Sequence, residues 1–193
     1  MFAFFRFKVI QYFLMEFTTK RLNIRPIRIE DKNALYEYRS DPETYKYLSF
    51  VPTEVKDVEE FIHRCSKDFN IQGTWFQFVL LLKGSQALIG DVGVHFLDTE
   101  SENKQVEIGY TLNPAFRNNG YANEALTEII DYLFTSLKKH RVTASVDPSN
   151  ISSIRLLEKL GFRKEAHFKK SLFFHGKWVD DVVFALLSEE WTK

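Results

Sequence analysis

The chain lacks most of the features that assign a function quickly. It has a single cysteine, Cys65, in 193 residues, so it can form no internal disulfide and no cysteine cage for a metal. That suits a reducing, cytoplasmic setting, and a small buried side chain is the ordinary role of such a residue. No charge of one sign prevails: 26 Lys and Arg stand against 26 Asp and Glu. There is therefore no overall field to hold nucleic acid or an anionic membrane, and either partner would need a local patch. The Gly-Lys-Ser/Thr ending of a Walker loop, the GxGxxG dinucleotide fingerprint and the Gly-x-Ser-x-Gly nucleophile elbow are all missing. His63, His95, His140, His167 and His175 show no metal-ligand spacing, which predicts no metal and structural or exposed roles for them. The apolar opening, MFAFFRFKVIQYFLMEF, is interrupted by Arg6 and Lys8 and shows no small-residue cleavage site. It also falls short of the ~20 apolar residues that span a bilayer, so neither a signal peptide nor a membrane helix is expected.

What the sequence does contain is one well-filled core: 45% of residues are hydrophobic, enough for a single domain. Residues 15–193 are expected to form it. Residues 1–14 read as an apolar extension, with Met15 as an alternative start, or as an appendage docked on the domain or on the second subunit of a homodimer. Residues 17–28 alternate through Phe17, Leu22, Ile24 and Ile27, which predicts a first strand, with Glu30-Asp31 capping a helix after it. Thr53 is expected to cap a second helix bearing Val55, Val58, Phe61, Ile62 and Cys65. From Trp75 the run WFQFVLLLKGSQALIGDVGVHFLD predicts a hairpin turning at Lys83-Gly84-Ser85-Gln86, with Gly90 and Gly93 marking a bulge or bend. QVEIGYTL, residues 105–112, predicts another strand. A long helix then carries Ala122, Ala125, Leu126, Ile129, Ile130, Leu133, Phe134 and Leu137 at helical spacing. A strand over Arg141–Val146 follows, then a helix capped by Asn150 and closed by Gly161 in a Schellman arrangement with Phe162. The tail is a hairpin turning at His175-Gly176. The alternation gives an α+β domain in two layers, a central mixed and mostly antiparallel sheet flanked by helices. Trp75, Trp178 and Trp191 are expected mostly in core or edge packing, while Tyr36, Tyr38, Phe50 and Trp75 are candidates to line a groove.

The loop Arg117-Asn118-Asn119-Gly120-Tyr121-Ala122 opens the long helix. Its first N–H groups lack helical partners and stand at the positive end of the dipole, a place suited to an anion such as pyrophosphate. Gly120 and Ala122 leave room and Arg117 can add charge; the same loop also fits a simple turn. The pattern Arg117-x-x-Gly120-x-Ala122 resembles the Arg/Gln-x-x-Gly-x-Gly/Ala signature of the GNAT superfamily of N-acetyltransferases. NISSIRLLEKLGF, Asn150 to Phe162, resembles that family's second conserved segment, at the matching separation. TTKRLNIRPI and FHGKWVDDVVFALLSEEW resemble the branch of Rim-type ribosomal-protein alanine N-acetyltransferases. The resemblance implies a sheet that splays beside QVEIGYTL. It also implies acetyl-CoA as co-substrate, held by Ile108, Gly109, Tyr110, Thr111 and Leu112 along the strand, by Arg117, Asn118, Asn119, Gly120, Tyr121 and Ala122 at the helix start, and by Asn150 and Ser153. It implies direct attack by the acceptor amine. Glu107 is then the candidate general base, against a surface-facing strand residue. Many relatives have a tyrosine acid where this chain has Leu157, which leaves Ser153 as the candidate acid, against a serine that only touches the cofactor. Asn150 combines helix capping with a hydrogen bond to the cofactor arm.

The acceptor follows from proton chemistry. At pH 7 an α-amine with a pKa near 8 is about one-tenth unprotonated and a lysine only about one part in 2500, a difference of about 3 kcal/mol for a single carboxylate base. A protein or peptide N-terminus is therefore the expected acceptor. The alternatives are a small amine (a polyamine, aminoglycoside or amino acid) and, in another class, a non-catalytic acyl-CoA-binding module.

Overall fold

A computed structural model describes residues 15–99 and 102–192; the readings of residues 1–14 lie outside them. The described strands form one eight-stranded sheet in the order β1-β2-β3-β4-β5-β6-β8-β7. They are β1 (Phe17–Thr18), β2 (Leu22–Pro26), β3 (Thr74–Leu82), β4 (Leu88–Phe96), β5 (Gln105–Leu112), β6 (Arg141–Val146), β7 (Arg163–Phe174) and β8 (Lys177–Leu187). Every neighbouring pair is antiparallel except β5 and β6, which run parallel. The α+β class with a mixed sheet stands as expected, and β5 and β6 occupy the residues that the sequence indicated.

Alternation along the strands gives the sheet two apolar faces. On one, Phe76, Phe78 and Leu80 of β3, Val94 and Phe96 of β4, and Val106 and Ile108 of β5 pack with helix α4 (Tyr121–Thr135) and with Leu157 of α5 (Ile151–Lys159). On the other, Val79 meets Leu35 and Tyr38 of α1 (Lys32–Arg39) and Val58 and Ile62 of α3 (Val55–Arg64). Helices thus cover both faces, three layers rather than two. A single turn, α2 (Pro42–Tyr45), sits between α1 and α3, its start capped by Asp41 Oδ1, which accepts from Glu43 N at 2.8 Å.

Local competition for hydrogen bonds shifted several boundaries. The first strand is split into β1 and β2 because Thr19 Oγ1 accepts from Leu22 N at 3.0 Å and turns the chain. Asp31 does not cap α1 with its side chain; its carboxylate accepts from Arg28 N at 2.8 Å and pairs with Arg25 at 2.7 Å. The cap residue of α3 is Glu54 rather than Thr53, because Asp57 Oδ2 gathers Thr53 N, Thr53 Oγ1 and Glu54 N at 2.7, 2.7 and 3.1 Å. The bulge expected at Gly90 is present on β4: Leu80 and Leu81 of β3 face Gly90 and Leu88, so Ile89 beside Gly90 is the extra residue. The end of α5 closes as the sequence indicated. Gly161, at φ 90°, donates to Glu158 O, and Phe162 N donates to Leu157 O, both at 3.0 Å.

Trp191 packs beside Phe134 and donates from Nε1 to Asp131 at 3.0 Å. Trp178 does not pack inward: it stands 59% exposed beside Phe173 on the β7–β8 hairpin. Among the described residues, no helix is long and apolar enough to cross a membrane.

Candidate functional site

β5 is bonded to β4 from Val106 to Leu112, but to β6 only through Gln105, Val106 and Glu107, which face Arg141, Val142 and Thr143. After Glu107 the two parallel strands part. Ile108 to Leu112 then carry backbone N–H and C=O groups along an edge that β6 does not pair, a ready template for a ligand that hydrogen-bonds as a strand does. Glu107 stands at the fork.

One side-chain bond crosses the opening. Tyr110 reaches from β5 to α5, its hydroxyl 2.7 Å from Ser153 Oγ. Burial pushes the Tyr110 phenol up to about 12, with the Ser153 hydrogen bond opposing it, so the ring stays neutral and keeps its proton. Asn150 Oδ1 accepts from Ser153 N at 3.2 Å, fixing the first turn of α5. Leu157 is wholly buried in the core, so it contributes packing rather than a polar group to the opening.

Beyond the fork the chain builds a helix start with open N–H groups. Asn113 Oδ1 accepts from Ala115 N at 3.0 Å and begins a short 3-10 turn. Asn118 and Gly120 then take φ values of 63° and 78°, the left-handed region where glycine is at ease. Gly120 is the cap residue of α4 and offers no side-chain acceptor. The first intrahelical bond runs from Glu124 N to Gly120 O at 3.1 Å, leaving the preceding N–H groups without helical partners. Tyr121 and Ala122 form the first turn. The Arg117 guanidinium is turned away, donating to Leu112 O and Glu43 O at 3.3 Å and to Thr44 Oγ1 at 2.9 Å. The cation beside the helix start is instead Arg21. It donates to Asn119 O at 2.8 Å, pairs with Glu124 at 2.7 Å and lies 4.4 Å over the Tyr121 ring. Burial pushes the Glu124 carboxyl upward, but bonds from Thr19 and Arg21 outweigh it and hold Glu124 below its usual range. Sequence reasoning missed Arg21, because nothing local to β2 indicates what it will meet. An open cleft of about 520 Å³ adjoins this corner, lined by Lys20, Arg21, Gly120, Asn123 and Lys159 among others.

The opposite face of the same strands carries a second constellation. Trp75, His95 and Glu107 sit on β3, β4 and β5 at matched positions, since Trp75 faces His95 and His95 faces Glu107. The Trp75 indole stacks on the His95 ring at 4.7 Å and 9°, and His95 Nδ1 lies 3.6 Å from Glu107 Oε2. Sequence reasoning read His95 as bland; the register across the β4–β5 turn was the signal that could have found it. Next to them Asp91 is buried and accepts from the Tyr38 hydroxyl, Arg39 Nη2 and Gln77 Nε2. Burial, and then the Asp91 charge, push the Tyr38 phenol well above its usual value. Tyr38 is therefore part of the buried floor rather than a groove wall. Of the other expected groove residues, Trp75 is 40% exposed, Tyr36 donates to Thr53 O at 3.1 Å, and Phe50 stacks on Phe61 at 4.8 Å.

Cys65 donates to Phe61 O, and burial pushes its thiol up to about 11, which disarms it as a nucleophile. Among the described residues, no group of three or more His, Cys, Asp or Glu side chains could hold a metal ion.

Comparison with known proteins gives a consistent picture. The family model for an acetyltransferase (GNAT) domain matches residues 21–163. The chain is 36% identical over 177 residues to the uncharacterized N-acetyltransferase YnaD of Bacillus subtilis, covering 92% of this chain and 99% of that protein. It is 33% identical over 125 residues to the [ribosomal protein uS5]-alanine N-acetyltransferase of Escherichia coli, 65% of this chain and 64% of that one. A solved GNAT-family acetyltransferase from Bacillus anthracis superposes with a TM-score of 0.80 at 32% identity, covering 91% of this chain and 100% of that chain.

Proposed function

Because the chain belongs to the GNAT acetyltransferases and is an N-acetyltransferase, we propose that it moves acetyl from acetyl-CoA to the α-amine of a protein or peptide N-terminus. The observation that carries the reading is the fork: a carboxylate, Glu107, at the point where β5 leaves β6. The open edge from Ile108 to Leu112 suits the amide-bearing pantetheine arm. The bare N–H groups of residues 118–122 suit the pyrophosphate, and Gly120 lets the backbone approach it. These residues thus fit acetyl-CoA without help from a metal.

In this arrangement an N–H of the β5 edge hydrogen-bonds the thioester carbonyl oxygen and stabilises the charge it gains as the amine attacks. Glu107 receives the amine's proton, directly or through one water. Ser153, oriented by Asn150 and Tyr110, donates a hydrogen bond to the departing sulfur. A thiolate with a pKa of about 8.5 is a tolerable leaving group, so little more is asked of that residue. An α-amine is favoured because a single carboxylate removes its proton far more readily than a lysine's, and the likeness to a ribosomal-protein alanine acetyltransferase agrees with it.

The test is release of free CoA thiol from acetyl-CoA over a panel of Ala- and Ser-starting peptides, lysine side-chain peptides, polyamines and amino sugars, paired with calorimetric binding of acetyl-CoA. Release confined to the N-terminal peptides is expected. Release with a small amine alone would replace the proposed acceptor, and tight binding with no release from any acceptor would mark a sensing module instead.

A further inference from the structure

We propose that His95 is a second catalytic group, which takes the proton from Glu107 after each acetyl transfer and hands it to solvent. The proposal rests on Glu107 as the base and adds the route by which that base is reset. Three observations point to it. His95 and Glu107 are direct cross-strand neighbours on β4 and β5. His95 Nδ1 lies 3.6 Å from Glu107 Oε2, and it is buried with no hydrogen-bond partner among the described residues. The ring is held flat against Trp75 at 4.7 Å, which fixes the direction in which Nδ1 points.

A buried polar nitrogen without a partner is uncommon and costs free energy, so its retention calls for a cause. With the ring proton on Nε2, the Nδ1 lone pair and the carboxylate are two acceptors facing each other across a space that lacks one proton. That pair is a receptor for the proton the reaction releases. The C–N bond forms as the thioester C–S bond breaks, the electron pair leaving on sulfur. The amine's proton passes to Glu107, then to His95 Nδ1, while Nε2–H is released to solvent from a side chain that is 25% exposed. The carboxylate is thereby restored, and the ring, now protonated on Nδ1, regains its Nε2–H tautomer by proton exchange with solvent before the next turnover. Imidazole is the side chain best suited to accept and release a proton near neutral pH.

The experiment compares His95→Ala and His95→Gln with the unmodified protein, using acetyl-CoA and the best acceptor of the amine panel, with and without free imidazole. Gln preserves the side chain's bulk and polarity if Ala compromises folding. Both variants are expected to lose about tenfold or more in kcat, at the low edge of general-base effects or below, with the KM for acetyl-CoA unchanged. Free imidazole is expected to restore part of the His95→Ala rate. Wild-type turnover in either variant overturns the proposal. So does a loss that imidazole leaves untouched, because that marks a packing role under Trp75. If both His95 variants turn over normally while Glu107→Gln does not, only the relay falls; if Glu107→Gln also turns over normally, the reading of the base falls with it.

Discussion

The two faces of β5 are built by different means. The face toward α4 and α5 is apolar almost throughout, and apart from the Tyr110–Ser153 pair its candidate features are backbone: an unpaired strand edge and a helix start whose cap residue, Gly120, brings no side chain to fill it. The face toward α1 and α3 is where polar and ionisable side chains are buried together: Tyr38, Arg39, Gln77 and Asp91, with the partly exposed His95 and Glu107 on the same face. The contrast suits a division of labour. On the proposed reading, a co-substrate common to a whole family would be held largely by main chain, which most substitutions leave alone, whereas the base and the acceptor would be set by side chains that a single substitution can alter.

Changes on the two faces should therefore fail in different ways. The largest effect is expected from Asp91→Asn, which strands the buried Arg39 cation. Removing one member of a buried pair costs about 3–5 kcal/mol, to be read from the urea midpoint. Arg39→Met in the same background should recover part of it, and unchanged stability in Asp91→Asn would show that the charge pair does not hold the α1 face. Next comes Glu107→Gln, expected to lower kcat about 100-fold near neutral pH without weakening acetyl-CoA binding. The deficit should shrink as pH rises past the ordinary α-amine pKa of about 8, since an amine already deprotonated needs no base. A loss equal at every pH would contradict a proton-accepting role. On the other face, Gly120→Val should weaken acetyl-CoA about tenfold, because it forces a branched residue to φ 78° and crowds the helix start, a strain of about 1–2 kcal/mol. Calorimetry decides; unchanged affinity would place the co-substrate elsewhere. The smallest effect is expected from Tyr110→Phe, which removes one hydrogen bond, about 1 kcal/mol, and so about fivefold in kcat. Ser153→Ala should abolish any further effect of Tyr110→Phe, and additive losses would show that the two hydroxyls act separately.

The same contrast explains what the sequence could say. β5, β6, the Asn150 cap and the Gly161 closure were legible because each rests on local rules: alternation, a short polar side chain at a helix start, a left-handed residue at its end. The open N–H groups before α4 were legible for the same reason. Thr53 was misplaced because the Asp57 carboxylate claims its hydroxyl and N–H, and Asp31 because its own carboxylate is taken by Arg28 N and Arg25. Tyr38 and His95 could not be placed from periodicity. Whether Tyr38 lines a groove or seals a buried carboxylate depends on Asp91, 53 positions distant, and the meeting of His95 with Glu107 depends on a register set by the turn after Phe96. Arg117 shows that the presence of a charge in a loop does not fix where it points. Three acceptors from β5 and α2 claim it, and Arg21 occupies the helix start.

The brief contact of β5 with β6 has a mechanical consequence. Three residue pairs are the only strand-to-strand rungs among the described residues between β1–β5 and the β6–β8 group. A molecule lying along Ile108 to Leu112 works there as a keystone, completing an arch that the protein leaves open at its crown. Mass action then makes occupancy visible as rigidity: ligand at about 100 times its Kd adds about 2.7 kcal/mol to stability. The amides of β5 and β6 should show that gain first, as slower hydrogen exchange.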